Sequence, residues 1–301
     1  MAKHRHPFLY GLLMVLLGLA GLATLGSAIV FWFDEDRSWK SEPRIGVVGI
    51  RGIILDAKIP VELLKKYRKD DRVKAIIVRV DSPGGSVAAS QEIYREIVRT
   101  RPHKKVVISM GNVAASGGYY IAAAGNRIMA NPGTLTGSIG VVMEFSNIQE
   151  LMHKIGVSLE VVKSGAFKDI GSPVRKMKPE ERRLLEGVIQ NVHRQFVDMV
   201  AEARRLPKPE VEKIADGRIF TGEQAKALGL VDELGSLEDA VELTKKMARI
   251  SGEVKLVYPE KKKFSLWDLI LNRVMGEIRE NLPLTGSSFD LLWVPPAFYK
   301  N

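Results

Sequence analysis

The run Val73–Val80 (VKAIIVRV) is β-branched and nearly all apolar, and it leads straight into Asp81-Ser82-Pro83-Gly84-Gly85-Ser86. A strand with one wet face alternates apolar and polar residues; a run that barely alternates needs cover on both faces. Similar runs occur at 45–50, 105–110 (KVVISM), 127–130 and 159–162, and all are read as strands. Helical patterns fall between and after them, at 61–69, 87–100, 119–124, 148–155 and 179–206. The last carries Leu184, Leu185, Val188, Val192, Phe196 and Val200 on one face. Buried strands alternating with helices predict an α/β fold built on a parallel sheet. No repeat of solenoid length is present.

Ahead of this region, residues 8–33 contain no charged side chain, more than the roughly 20 residues a helix needs to cross a bilayer. Lys3 and Arg5 precede the segment and Asp34, Glu35 and Asp36 follow it, which places the N-terminus on the cytoplasmic side. The competing reading is a cleaved secretory signal ending near Gly26-Ser27-Ala28. Ile29–Phe33 stay apolar beyond that point, and Trp32 sits where an interfacial aromatic belt would, so a retained anchor is expected. The chain is accordingly divided into an anchor (1–37), a main domain (38–252) and a C-terminal extension (253–301). The expected location is the cytoplasmic membrane, crossed once, with the main domain outside the cytoplasm.

The chain has 301 residues, a formal net charge of +10 and no cysteine. Thiol catalysis, disulfides and thiolate metal sites are excluded. Basic runs such as Lys65-Lys66-Tyr67-Arg68-Lys69 are read first as solvated faces and second as a lipid-facing surface. Neither zinc-ligand spacing nor an aromatic-basic stacking pattern is present, so nucleic acid is not an expected partner.

Ser116 lies in Ala114-Ala115-Ser116-Gly117-Gly118, where strand and turn give way to a helix. Small neighbours allow close substrate approach, and backbone N–H groups at a helix start can hold an oxyanion. A serine at a helix start is more often simply an N-cap. Gly84-Gly85, at a strand end, can turn a second N–H inward because no Cβ blocks the approach. A serine nucleophile needs a proton acceptor. His4 and His6 precede the apolar segment, and His103, His153 and His193 lie in a turn and on helices. A Ser-His-Asp triad is the weaker choice. Lys168, in Ser164-Gly165-Ala166-Phe167-Lys168-Asp169-Ile170-Gly171-Ser172-Pro173, is the better candidate, although a single lysine is usually a surface charge. It can act as a base only if burial lowers its pKa far below about 10.4. Ser138, in Thr134-Leu135-Thr136-Gly137-Ser138, is a candidate to orient it, and the same spacing fits an ordinary hydroxyl-rich turn equally well.

Taken in order, DSPGGS at 81–86, SMGNVAASGGYYIAAAGNRIMANPGTLTGSIGV at 109–141, SGAFKDIGSP at 164–173 and DGRIFTGEQAKALGLVDELGS at 216–236 resemble the signal peptide peptidase (protease IV) family. The resemblance implies a core of repeated β-β-α and βαβ units, of the Clp peptidase/crotonase type. It implies Ser116 as nucleophile, Lys168 as general base, Gly85 and Gly117 as oxyanion donors and Ser138 as the residue holding the lysine, with no metal or cofactor. The substrates it implies are signal peptides left in the membrane and other apolar peptides. It also implies a homo-oligomeric ring, octameric in the family's short form, with serine and lysine from neighbouring protomers. Three rivals stand beside it: a related anchored protease for one membrane protein, a crotonase-like lyase binding coenzyme A, and a non-catalytic ring scaffold. Beyond residue 252, a segment at 264–274 is read as an amphipathic helix. Leu282-Pro283-Leu284-Thr285-Gly286 fits a sortase signal by coincidence, since residues 287–301 are too few and too interrupted by Asp290, Pro295 and Pro296 to span a bilayer. The family's tail can enter its own active site, and the same is an expectation here.

Overall fold

The computed structural model describes residues 11, 14–27, 42–259 and 290–292. The chain divides into two compact units, Met1–Pro43 and Arg44–Asn301. In the first, residues 14–27 are helical (α1). Among the described residues no helix is long and apolar enough to cross a membrane. The ends of the uncharged segment lie outside the described residues, as do 264–274 and 282–286.

The second unit begins β1 (Arg44–Arg51), α2 (Lys58–Lys69), β2 (Val73–Ser82), β3 (Gly84–Ser86), α3 (Val87–Thr100), β4 (Lys105–Ala115) and α4 (Gly117–Ala122). There follow β5 (Arg127–Ala130), β6 (Leu135–Gly137), α5 (Gln149–Lys154), α6 (Pro179–Arg204) and α7 (Lys208–Ile214). The remainder is β7 (Ile219–Thr221), α8 (Gly222–Ala227), β8 (Glu233–Leu234), α9 (Leu237–Met247), β9 (Lys255–Val257) and β10 (Asp290–Leu292). The main sheet runs β7-β6-β4-β2-β1-β9, with β5 pairing both β4 and β8. Its ladders are parallel except β6–β7, so the sheet is mixed. This is an α/β architecture, as the alternation of buried strands and helices predicts, with one antiparallel ladder in an otherwise parallel sheet.

The unbroken apolar strands have the cover they require. On one face Val48, Ile76, Val78 and Ile108 pack with Leu64 of α2, Ile93 and Ile97 of α3, Tyr119 of α4 and Phe196 and Val200 of α6. On the other, Ile45 and Ile77 meet Val241 of α9, and Val107 and Met129 meet Ala240. Because parallel neighbours share one direction, the carboxyl ends of β2, β4 and β6 gather at one edge, and the candidate serines and glycines lie there.

Two expectations need correction. Residues 159–162 form no strand. Leu159 and Val162 are exposed, Val162 at 97%. β-branched composition makes a strand only when an edge pairs it and a face is buried, and this segment has neither among the described residues. Conversely, β4 does not stop at Met110. It passes through Gly111 and Asn112 as a bulge and continues to Ala115. Glycine read as a terminator is here the residue that lets the strand bulge.

The central position of Ile108, fully buried in β4, gives a direct check. Ile108→Ala is expected to destabilise the folded domain by about 2–5 kcal/mol, read from the shift in urea midpoint at unchanged slope.

Candidate active site

β4 and β6 pair in parallel, with Val113 opposite Leu135, Ala114 opposite Thr136 and Ala115 opposite Gly137. The next residues, Ser116 and Ser138, therefore leave adjacent strand ends side by side. The Ser116 N–H donates to the Gly137 carbonyl at 2.9 Å, and the Ser116 carbonyl accepts from Tyr120 N–H at 2.8 Å. Ser138 N–H donates to the Arg218 carbonyl at 2.8 Å. Thr136, which the sequence did not single out, donates its Oγ1 to the Ala114 carbonyl at 2.6 Å and ties the two strand ends together.

Both serines stand at positive φ, 52° for Ser116 and 49° for Ser138. Such a backbone costs a non-glycine residue about 1–3 kcal/mol and persists only where the surroundings over-determine it. Ser116 is 1% exposed and Ser138 7%. Neither hydroxyl has a hydrogen-bond partner among the described residues, although buried hydroxyls almost always find one. Ser116 is not an N-cap in the usual sense: its side chain makes no cap bond. Strain and an orphaned hydroxyl at one residue are the marks of a group held for reaction.

Gly117 opens α4, so its N–H has no acceptor within the helix. Gly118 lies so close to β2 that a Cβ there would meet the Ser82 carbonyl at 2.8 Å. Gly85 sits in β3 with φ 152°, and a Cβ there would collide with the backbone of Ile54. Ile54 N–H donates to the Gly84 carbonyl at 2.9 Å, and Ser86 N–H donates to the Ile54 carbonyl at 2.7 Å. Strand groups alternate in direction, so the N–H and carbonyl of Gly85 face away from Ile54. On that side β10 runs antiparallel, with Leu291 opposite Gly85. A segment of the C-terminal extension thus lies along the glycine edge as an added strand.

Lys168 is elsewhere. It lies in a run of turns, exposed, and its side chain has no hydrogen bond or ion pair among the described residues. Within this chain it makes no hydrogen bond to Ser116. Nor does a histidine reach the serine: His103 and His153 are exposed, and His193 Nε2 is engaged by the Ala215 carbonyl at 2.7 Å. The turns around Lys168 are nevertheless pinned. Its neighbour Asp169 pairs with Lys163 and, at 2.8 Å, with Arg175 Nε. Arg175 also grips Glu181 at the start of α6. Hydrogen bonds from Arg175, reinforced by Lys163, hold the Asp169 carboxyl well below the usual carboxylate range. Arg175 and the Lys178 N–H hold that of Glu181 down to about 2.

The model for peptidase family S49 matches residues 99–251, and that for Clp protease matches residues 57–136. The chain belongs to peptidase family S49. An inferred protease of Synechocystis is 48% identical over 211 residues, covering 70% of this chain and 76% of that one. An inferred protease of Methanocaldococcus jannaschii is 39% identical over 243 residues, covering 79% and 78%. Protease 4 of Salmonella typhi is 36% identical over 249 residues, covering 79% of this chain but 40% of its own length. This family membership makes the chain a serine peptidase of the signal peptide peptidase type, acting on peptides.

The pinned turns carry a pH dependence. Both carboxylates have pKa values lowered by folding, so the tie they form is intact above about pH 4, the ordinary carboxylate range. It is lost as pH falls through about 2. Protection factors for amide hydrogen exchange over residues 163–175, taken against the intrinsic rate at each pH, are expected to be high at pH 5 and to fall between those limits. Arg175→Met is expected to loosen the same segment at neutral pH.

Proposed function

We propose that this S49 peptidase is a membrane-anchored serine endopeptidase that degrades residual signal peptides and other apolar peptides with a Ser116–Lys168 dyad. The observation that carries the reading is the buried Ser116 hydroxyl, on strained backbone and without a partner among the described residues, at the carboxyl end of β4 beside the Gly117 N–H. Neutral Lys168 accepts the Ser116 proton as Oγ attacks the scissile carbonyl. The N–H groups of Gly117 and Gly85 receive the oxyanion, one such donor being worth about 3 kcal/mol. Lys168 returns the proton to the leaving amine, and water then hydrolyses the acyl-enzyme.

In this reading Lys168 reaches a serine by assembly. A neighbouring protomer in a homo-oligomeric ring buries the lysine and lets the Ser138 hydroxyl accept or donate at its amine. An extended substrate binds where β10 now lies, adding an antiparallel strand to β3 through main-chain hydrogen bonds. The uncharged segment 8–33 anchors the chain with its catalytic domain outside the cytoplasm, which brings the site to peptides left in the bilayer.

The test is acylation by a fluorophosphonate probe, together with hydrolysis of an apolar peptide, by the full-length assembled protein. Ser116→Ala and Lys168→Ala are each expected to abolish both, and mixing the two inactive variants is expected to restore part of the activity if the dyad spans two protomers. Retained activity in Lys168→Ala would assign the base to another group.

A further inference from the structure

We infer that Asp81 is a positioning residue for this peptidase, because its carboxylate holds the bulge in β4 that sets where Ser116 lies. The inference rests on the reading of Ser116 as the nucleophile.

The register of β2 against β4 breaks between two fixed points: Val80 lies opposite Met110, and Ser82 lies opposite Ala114. Gly111, Asn112 and Val113 together oppose the single residue Asp81. The ladder is interrupted there, and side chains take several of the polar groups it frees. Asp81 Oδ1 accepts the N–H of Asn112 at 3.0 Å and that of Val113 at 3.1 Å. Thr134 Oγ1 donates to the Gly111 carbonyl at 2.7 Å. Arg79, two residues before Asp81 on the same face of β2, donates to the Met110 carbonyl at 2.8 Å and to Ser109 Oγ at 2.7 Å. The carboxylate lies flush on the bulge: a Cβ on Gly111 would meet Asp81 Cγ at 2.7 Å.

The bulge also changes β4's partner. Before it, Val107–Ser109 pair with β5; after it, Val113–Ala115 pair with β6. The pairing with β6 is what brings Ser116 beside Ser138 and lets its N–H reach Gly137. A ladder continued without the bulge would set Ser82 opposite Asn112 instead of Ala114. That would move Ser116 by two residues, roughly 7 Å, along the strand. A misplacement of about 1 Å at a reacting atom already costs about 100-fold in rate, so even partial relaxation of the bulge is visible in kcat. Asp81 acts through β4 and needs no contact with substrate.

Both hydrogen bonds end on one oxygen, which an asparagine keeps and an alanine removes. The experiment measures kcat, KM and the thermal midpoint of the full-length assembled protein for native, Asp81→Asn, Asp81→Ala and Ser116→Ala forms. Asp81→Ala is expected to lower kcat by about 30-fold or more with KM within about threefold, since ground-state binding is spared. Asp81→Asn is expected to recover most of that loss. Thr134→Val, which releases the Gly111 carbonyl from the other side, is expected to lower kcat in the same sense, and it carries the test should Asp81→Ala fail to fold. Native-like kcat in folded Asp81→Ala, or in Thr134→Val where it stands alone, overturns the inference, as does an Asp81→Asn loss as deep as that of alanine. Hydrolysis by Ser116→Ala at the native rate instead overturns the nucleophile reading beneath it.

Discussion

The hydrogen bond from Ser116 N–H to the Gly137 carbonyl fixes the candidate nucleophile to the end of the neighbouring strand. It continues the β4–β6 ladder by one step beyond the last paired residues, and it holds a serine in a backbone conformation that serine disfavours. Tyr120 N–H secures the other side of the same residue, and Thr136 braces the strand just before it. The remaining structure makes this bond possible. Helices cover both faces of the sheet, and the parallel ladders among β2, β4 and β6 bring their carboxyl ends to one edge. There the glycines of β3 and α4 allow backbones to approach without side chains between them.

Much of this was legible in the sequence, because periodicity reports burial directly. Strands without alternation require two covered faces, and the helices between them supply the cover. Ser116, Gly85 and Gly117 were singled out by the order of the motifs and the family resemblance rather than by local pattern, since a serine at a helix start is more often an N-cap and Gly-Gly an ordinary turn. The strand at 159–162 was misread because Leu159 and Val162 carry β-propensity without a partner edge. The length of β4 was misread because a glycine inside a bulge looks the same in sequence as a glycine that ends a strand. Asp81 was seen as the first residue after the strand Val73–Val80; that its carboxylate reaches Asn112 and Val113 depends on register across two strands, which no local pattern encodes.

Lys168 marks a different boundary. Its neighbours Asp169 and Arg175 tie its loop to α6, so the loop has a definite shape, yet the lysine itself stays in solvent and without a partner among the described residues. A base needs burial, and one folded chain does not supply it here. The two halves of the proposed chemistry are thus built by different means: the serine by the internal order of a sheet, the lysine by whatever the loop meets outside its own domain.

The positive φ of Ser116 and Ser138 has a consequence for how such a chain ages in evolution. Glycine would occupy either backbone with less strain, so selection for stability alone pulls both positions away from serine. Under the proposed mechanism the two hydroxyls are what offsets that pull, and a lineage released from the reaction should lose these serines early, well before the sheet that carries them begins to drift.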